Sequence, residues 1–279
     1  MADITIDLFE TDVGKVQLRR GGTGDPLVYL HSAAGEGEGV IFLNELAEHY
    51  SVYAPIFPGF NESEGIEQID DMEDVVFHLL DLFDRLKLDT PSIVGLSIGG
   101  WMAAELATRY PDHLSSLVLI NPAGLYIEGD PIKDIFGRSP AEMAKDLFAD
   151  QSHPVAQMMK QMDRAMSDAG SLKDIPFELI APQLKSMAAA ARIGWNPYLH
   201  NPKLRRRLHR IGVPTLIVRG ESDTLIPASH ARAYVDEIPG AEFVEVANAA
   251  HMVVLEHPAQ LAAIVNKFTT TASVSSTPG

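Results

Sequence analysis

The 279-residue chain has no cysteine. That excludes disulfides, cysteine–zinc sites and a thiol nucleophile. Positive charge is scarce: 22 Lys and Arg stand against 38 Asp and Glu, a formal net charge of −16 at pH 7. A nucleic-acid binder needs a basic face to displace counterions, so no nucleic-acid partner is expected. The one basic cluster, Lys203, Arg205-Arg206-Arg207 and Arg210, reads as a solvated helix face. No run approaches the ~18 apolar residues of a membrane span. The opening MADITIDLFE has neither the basic nor the apolar region of a signal peptide. A cytoplasmic protein with no membrane partner is the default expectation. The closing TTTASVSSTPG is small and polar, and residues 271–279 are expected to form a flexible tail.

What is present is ample apolar material, 46% of residues. It suits one large domain, or one domain carrying an insertion. Ile4–Phe9 and Lys15–Arg20 alternate in polarity around a short turn and predict a hairpin. Apolar runs at Pro26–Ser32, Ser51–Phe57, Pro91–Leu96 and Leu114–Ile120 predict buried strands. Helical spacing fits Val40–Tyr50, Asp70–Leu86 and Ser97–Tyr110. This alternation calls for a mostly parallel sheet with helices on both faces. Residues 124–210 break it, with helix-length pieces and no convincing strand. It resumes with a strand at Val213–Gly220, a helix at Ala228–Glu237, a strand at Ala241–Ala247 and a helix at Pro258–Phe268. The expected organisation is therefore an α/β core, 1–123 and 211–270, with a helical insertion at 124–210.

Gly95-Leu96-Ser97-Ile98-Gly99 lies between a predicted strand and a predicted helix. Ser97 could simply cap the helix. Alternatively, the turn exposes its hydroxyl as a nucleophile, with glycines where strand and helix backbones approach closely. A serine needs a base, itself oriented by an acid. Among ten histidines, His251 alone stands in a small-residue loop after the last strand. Asp223 closes the loop after the strand that ends at Gly220. Open α/β sheets place chemistry at the carboxyl ends of their strands. Ser97, Asp223 and His251 all fall there, in that order.

These features resemble the α/β-hydrolase superfamily, specifically members with a helical cap. The resemblance rests on HSAAG (31–35), PGFNES (58–63), GLSIG (95–99), GESDTLIP (220–227) and AAHMVVLEHP (249–258). It implies an α/β-hydrolase fold, with Ser97 as nucleophile, His251 as general base and Asp223 as the orienting acid. Residues 124–210 would be the cap. The oxyanion hole would use the N–H groups of Ile98 and Ala33. Two positions depart from the family. Ser32 and Asn61 stand where glycine is usual; were Ser32 to need φ > 0, it would carry about 1–3 kcal/mol of strain.

The implied reaction is acyl transfer from a small-molecule carboxylic ester of small or medium apolar character. It needs no metal and no organic cofactor. Carbon–carbon hydrolases of the meta-cleavage type and perhydrolase-like enzymes share the triad. The former commonly carry tryptophan after the catalytic histidine, where this chain has Met252. A non-catalytic ligand binder is a further alternative. Met252 and the aromatics of GWNPYLHNP, Trp195 and Tyr198, are candidate substrate contacts; the two aromatics could equally pin the cap to the sheet. The oligomeric state stays open, a homodimer included.

Overall fold

The structure is a computed structural model, and it describes residues 4–36, 40–168 and 177–275. Eight strands form one sheet: β1 (Thr5–Thr11), β2 (Gly14–Gly21), β3 (Pro26–Leu30), β4 (Ser51–Pro55), β5 (Ser92–Leu96), β6 (Ser116–Ile120), β7 (Thr215–Gly220) and β8 (Glu242–Val246). Their spatial order is β1-β2-β4-β3-β5-β6-β7-β8. The β1–β2 hairpin joins through an antiparallel β2–β4 pair. Every pairing from β4 to β8 is parallel.

The central strands are apolar on both faces, so alternate residues feed two cores. Ile93, Leu117, Leu119 and Ile217 point to one side. There they meet α2 (Met72–Leu86), α3 (Ile98–Arg109) and α7 (Ala228–Glu237). Val94, Leu96, Val118, Ile120, Leu216 and Val218 point to the other. There they meet α1 (Ile41–Leu46), α8 (Val253–Glu256) and α9 (Pro258–Ser275).

Two helices differ from the sequence expectation. α1 ends at Leu46 rather than Tyr50, because residues 47–50 turn tightly against Gly22; a Cβ on that glycine would lie 2.2 Å from the Tyr50 carbonyl oxygen. α9 continues to Ser275, so residues 271–275 of the expected tail are helical. Thr269 and Thr271 donate their hydroxyls to the carbonyls of Val265 and Lys267, and Ala272 is buried. Residues that read as a polar tail thus satisfy themselves on the helix backbone. The rest of that expectation, 276–279, lies outside the described residues.

Between β6 and β7 the chain makes α4 (Pro140–Leu147), α5 (Pro154–Asp168) and α6 (Phe177–Gly194). It leaves at Gly124 and returns beside it. Gly124 N–H donates to Leu199 O at 3.0 Å, and Asn201 N–H to Gly124 O at 3.0 Å. Residues 204–210, expected within the insertion, pack on the core. Leu204 and Leu208 are buried there, Arg205 pairs with Glu237, and Arg210 donates to Thr108 O. Among the described residues, no helix is long and apolar enough to cross a membrane.

Candidate active site

The sheet order reverses between β3 and β5, since β4 lies on one side of β3 and β6 on the far side of β5. Crevices for ligands open at such switch points, outside the carboxyl ends of the strands. Two loops emerge there: residues 31–36 after β3, and the turn at Ser97 after β5.

Ser97 adopts φ 56° and ψ −114°, a strained conformation for a residue with a Cβ. Its side chain makes no capping hydrogen bond to α3, so helix capping does not account for it. The backbone fixes the turn instead. Ser97 N–H donates to Ile120 O, and Ser97 O accepts from the amides of Trp101 and Ala123. Glycine is required on both sides. A Cβ on Gly95 would lie 2.4 Å from Gly99 O, and one on Gly99 would lie 2.2 Å from Leu30 O. Ile98 opens α3, and its N–H has no intrahelical acceptor.

Asp223 and His251 are both buried and meet directly, with His251 Nδ1–H donating to Asp223 Oδ2 at 2.8 Å. That bond leaves Nε2 as the basic ring nitrogen. The other carboxylate oxygen of Asp223 accepts the amides of Leu225 at 2.9 Å and Ile226 at 3.0 Å. The loop carrying His251 is braced from β6 and β7. Asn121, at φ 41°, donates its side-chain amide to the carbonyls of Ala250 and His251 and accepts the Gly220 N–H. The Ala250 carbonyl passes so close that a Cβ on Gly220 would meet it at 2.1 Å.

After β3, His31 accepts the Phe57 amide on Nε2 and donates from Nδ1 to Ser32 O. Burial holds this ring below its ordinary pKa, against the opposing pull of Glu36. Ser32 does not adopt positive φ, so the strain that such a conformation would bring does not arise. The left-handed residue of that loop is Gly35, at φ 61°. Asn61 takes φ 43°, a conformation that asparagine tolerates better than most side chains.

Ser97 and His251 line one cavity of about 40 Å³, together with Ser32, Ala33, Ala34, Ile98 and Met252. Branched aliphatic side chains close it, among them Ile132, Ile135 and Leu147 from the insertion and Leu225 and Ile226 from the Asp223 loop. Of the three candidate substrate contacts, Met252 is on the cavity wall, whereas Trp195 and Tyr198 are not among its lining residues. Trp195 is 63% exposed and tilts against Phe136, with ring centroids 5.3 Å apart. The Tyr198 hydroxyl accepts the Ile135 amide and donates to Lys133 O. It thereby fixes the segment whose isoleucines line the cavity.

The insertion is tied to the loops bearing Asp223 and His251. Asp146, buried at the end of α4, binds Lys133, Arg138 and the Thr224 hydroxyl. These partners outweigh its desolvation and hold its carboxyl below the usual range. Glu256 Oε1 accepts the amides of Ala149 and Asp150, and its Oε2 accepts that of Ala250, beside His251. Met252 N–H donates to Leu147 O. Sequence reasoning missed Asn121, Asp146 and Glu256. The available signals were slight: an asparagine ending an apolar strand, and a carboxylate in the short apolar segment before Pro258.

A family profile described as the alpha/beta hydrolase fold matches residues 25–258, and the chain belongs to that family. Along 267 residues the chain is 27% identical to 2-hydroxymuconate semialdehyde hydrolase of Pseudomonas sp. (strain CF600), covering 91% of this chain and 90% of that protein. It is 26% identical over 263 residues to pimeloyl-[acyl-carrier protein] methyl ester esterase of Aeromonas salmonicida (strain A449), covering 91% and 98%. Its fold is similar to that of a crystallised serine hydrolase involved in carbazole degradation. There the TM-score is 0.77 at 22% identity, over 96% of this chain and 100% of the other.

Proposed function

We propose that the protein is a serine hydrolase that cleaves carboxylic esters of small or medium apolar groups through an acyl-enzyme. The observation that carries this reading is the buried His251–Asp223 pair on the cavity that Ser97 lines, with Ser97 on a strained turn that its side chain does not cap. The similarity to a methyl ester esterase supports it.

In this reading Ser97 Oγ bonds to the ester carbonyl carbon while His251 Nε2 takes the hydroxyl proton. The carbonyl electron pair moves to oxygen, where the Ile98 and Ala33 amides receive it. Collapse breaks the bond to the leaving alkoxide, which takes the proton from His251. A water molecule then adds to the acyl carbon and gives its proton to His251. The second collapse releases the acid and returns the proton to Ser97. Asp223 holds the imidazole in the required tautomer throughout. The insertion acts as the cap, roofing the site with Ile132, Ile135 and Leu147. The cavity of about 40 Å³ is walled by branched aliphatic side chains, which favours short apolar acyl groups.

A second reading, carbon–carbon bond hydrolysis, draws on the similarity to 2-hydroxymuconate semialdehyde hydrolase. Met252, in place of the tryptophan common among meta-cleavage hydrolases, weighs against it. A panel of p-nitrophenyl esters of graded chain length, assayed beside a meta-cleavage dienoate, separates the two. Ester turnover peaking at short acyl chains, labelling of Ser97 by a fluorophosphonate and loss of both in Ser97→Ala are expected. Turnover of the dienoate alone would favour the second reading. Folded Ser97→Ala that keeps more than a trace of ester kcat would overturn the role of Ser97.

A further inference from the structure

We infer that Glu36 is a positioning residue for the oxyanion hole, aiming the Ala33 amide through Ser32; the inference rests on the hydrolase reading above. Glu36 lies four residues beyond Ser32 in the loop after β3 and is only 4% exposed. Both of its carboxylate oxygens accept the Ser32 N–H, each at 3.0 Å. Its backbone carbonyl accepts from Arg19 Nη1 at 2.6 Å, and Arg19 is itself buried in β2. The carboxylate is therefore anchored to the sheet at its own backbone and grips the loop with its side chain.

The consequence follows from peptide geometry. Ser32 sits between two planar units. The unit before it is fixed by the Glu36 carboxylate on Ser32 N–H. The unit after it is fixed at Ser32 O, which accepts His31 Nδ1–H at 2.7 Å and Gly35 N–H at 3.0 Å. In a trans peptide the N–H points opposite the C=O. With Ser32 O turned toward His31 and Gly35, the Ala33 N–H is directed the other way, on the side where Ala33 borders the cavity shared with Ser97. The Ala34 amide is taken by Ser32 Oγ, whereas that of Ala33 has no acceptor among the described residues. The amides of Ser32, Ala34 and Gly35 are committed, and the uncommitted one of Ala33 borders the site where negative charge would develop. Were Glu36 withdrawn, Ser32 would lose half of this clamp, and the Ala33 donor its aim.

Two substitutions separate aim from charge. Glu36→Asp keeps a carboxylate but is one methylene too short to reach Ser32 N–H. Glu36→Gln drops the charge but keeps an acceptor oxygen at the same reach. We expect Glu36→Asp to lower kcat on a short p-nitrophenyl ester by about 10- to 100-fold. That is less than the 10²–10³ lost when such a donor is removed outright. KM should shift by less than about threefold, because the donor acts on the transition state rather than the bound ester. A boronic acid that forms a tetrahedral adduct should weaken in parallel with kcat. Glu36→Gln should restore most of that loss. Equal losses in the two variants would mean that charge, not aim, is at work, and would overturn the inference. So would unchanged kcat in folded Glu36→Asp, provided Ser97→Ala is inactive. Ser97→Ala retaining turnover would instead sink the underlying hydrolase reading.

Discussion

The carboxylate of Asp223 and the imidazole of His251 meet 2.8 Å apart although 28 residues separate them in the chain. Asp223 spends one oxygen on its own loop amides and the other on His251, so its orientation does not depend on the histidine. Asp223→Asn should keep the loop but present the wrong hydrogen-bonding group to Nδ1. It is expected to lower ester kcat by about 10⁴, as for a buried triad acid elsewhere, with little change in Tm. A loss below tenfold in steady-state assays would assign the orienting role to another carboxylate.

Glu256 carries the junction between the insertion and the histidine loop. Three amides, those of Ala149, Asp150 and Ala250, share its carboxylate. Glu256→Ala leaves all three without that acceptor and should destabilise the fold by about 1–3 kcal/mol. Because one of them adjoins His251, kcat should fall several-fold as well. Thermal unfolding read beside kcat tests this; an unchanged Tm would show that the carboxylate holds nothing.

The parts of this site that were legible in the sequence are those set by local pattern. The Gly95–Gly99 turn, Asp223 and His251 each follow a predicted strand, and the carboxyl ends of parallel strands share one edge. The braces were not legible. Asn121 and His251 are 130 residues apart, and a hydrogen bond across that distance leaves no periodicity in either segment. For Trp195 and Tyr198 the sequence left two roles open, pocket wall or cap anchor, because their orientation is set by Phe136 and by the amide of Ile135, about 60 residues upstream. The threonines of α9 read as a tail because polarity was visible and their bonds to the helix carbonyls were not.

His78 makes acid stability testable. Burial pushes its pKa down to about 4, with nearby Asp12 opposing, so the folded protein keeps the ring neutral where the unfolded chain, near 6.5, binds a proton. The unfolded state then holds more protons between those values, and stability must fall as pH drops from about 6.5 to about 4. Below about 4 this group adds no further slope. The shift corresponds to on the order of 3 kcal/mol at most. His31 and His230 are depressed in the same direction, mainly by burial. His78→Leu, whose side chain suits neighbours such as Leu79 and Met102, should flatten the pH dependence of urea unfolding across this window. An identical slope in the variant would remove His78 from the account.

The cavity wall gives the last prediction, and it pairs two residues of the insertion. Ile135 borders the space beside Ser97, whereas Trp195 faces outward against Phe136. Truncating Ile135 to alanine removes three carbons from the wall. The proposed chain-length optimum on p-nitrophenyl esters should therefore move toward longer acyl groups, while acetate turnover changes little. One to three methylenes in an apolar pocket are worth about 1–3 kcal/mol each in discrimination, enough to be read in kcat/KM. Trp195→Ala should leave the chain-length profile where it is and lower Tm only modestly, since it removes a largely exposed aromatic contact. The opposite pattern, with Trp195→Ala shifting the profile and Ile135→Ala silent, would mean that the ester enters along the Trp195 face. Ile135 would then close a space that substrate never occupies.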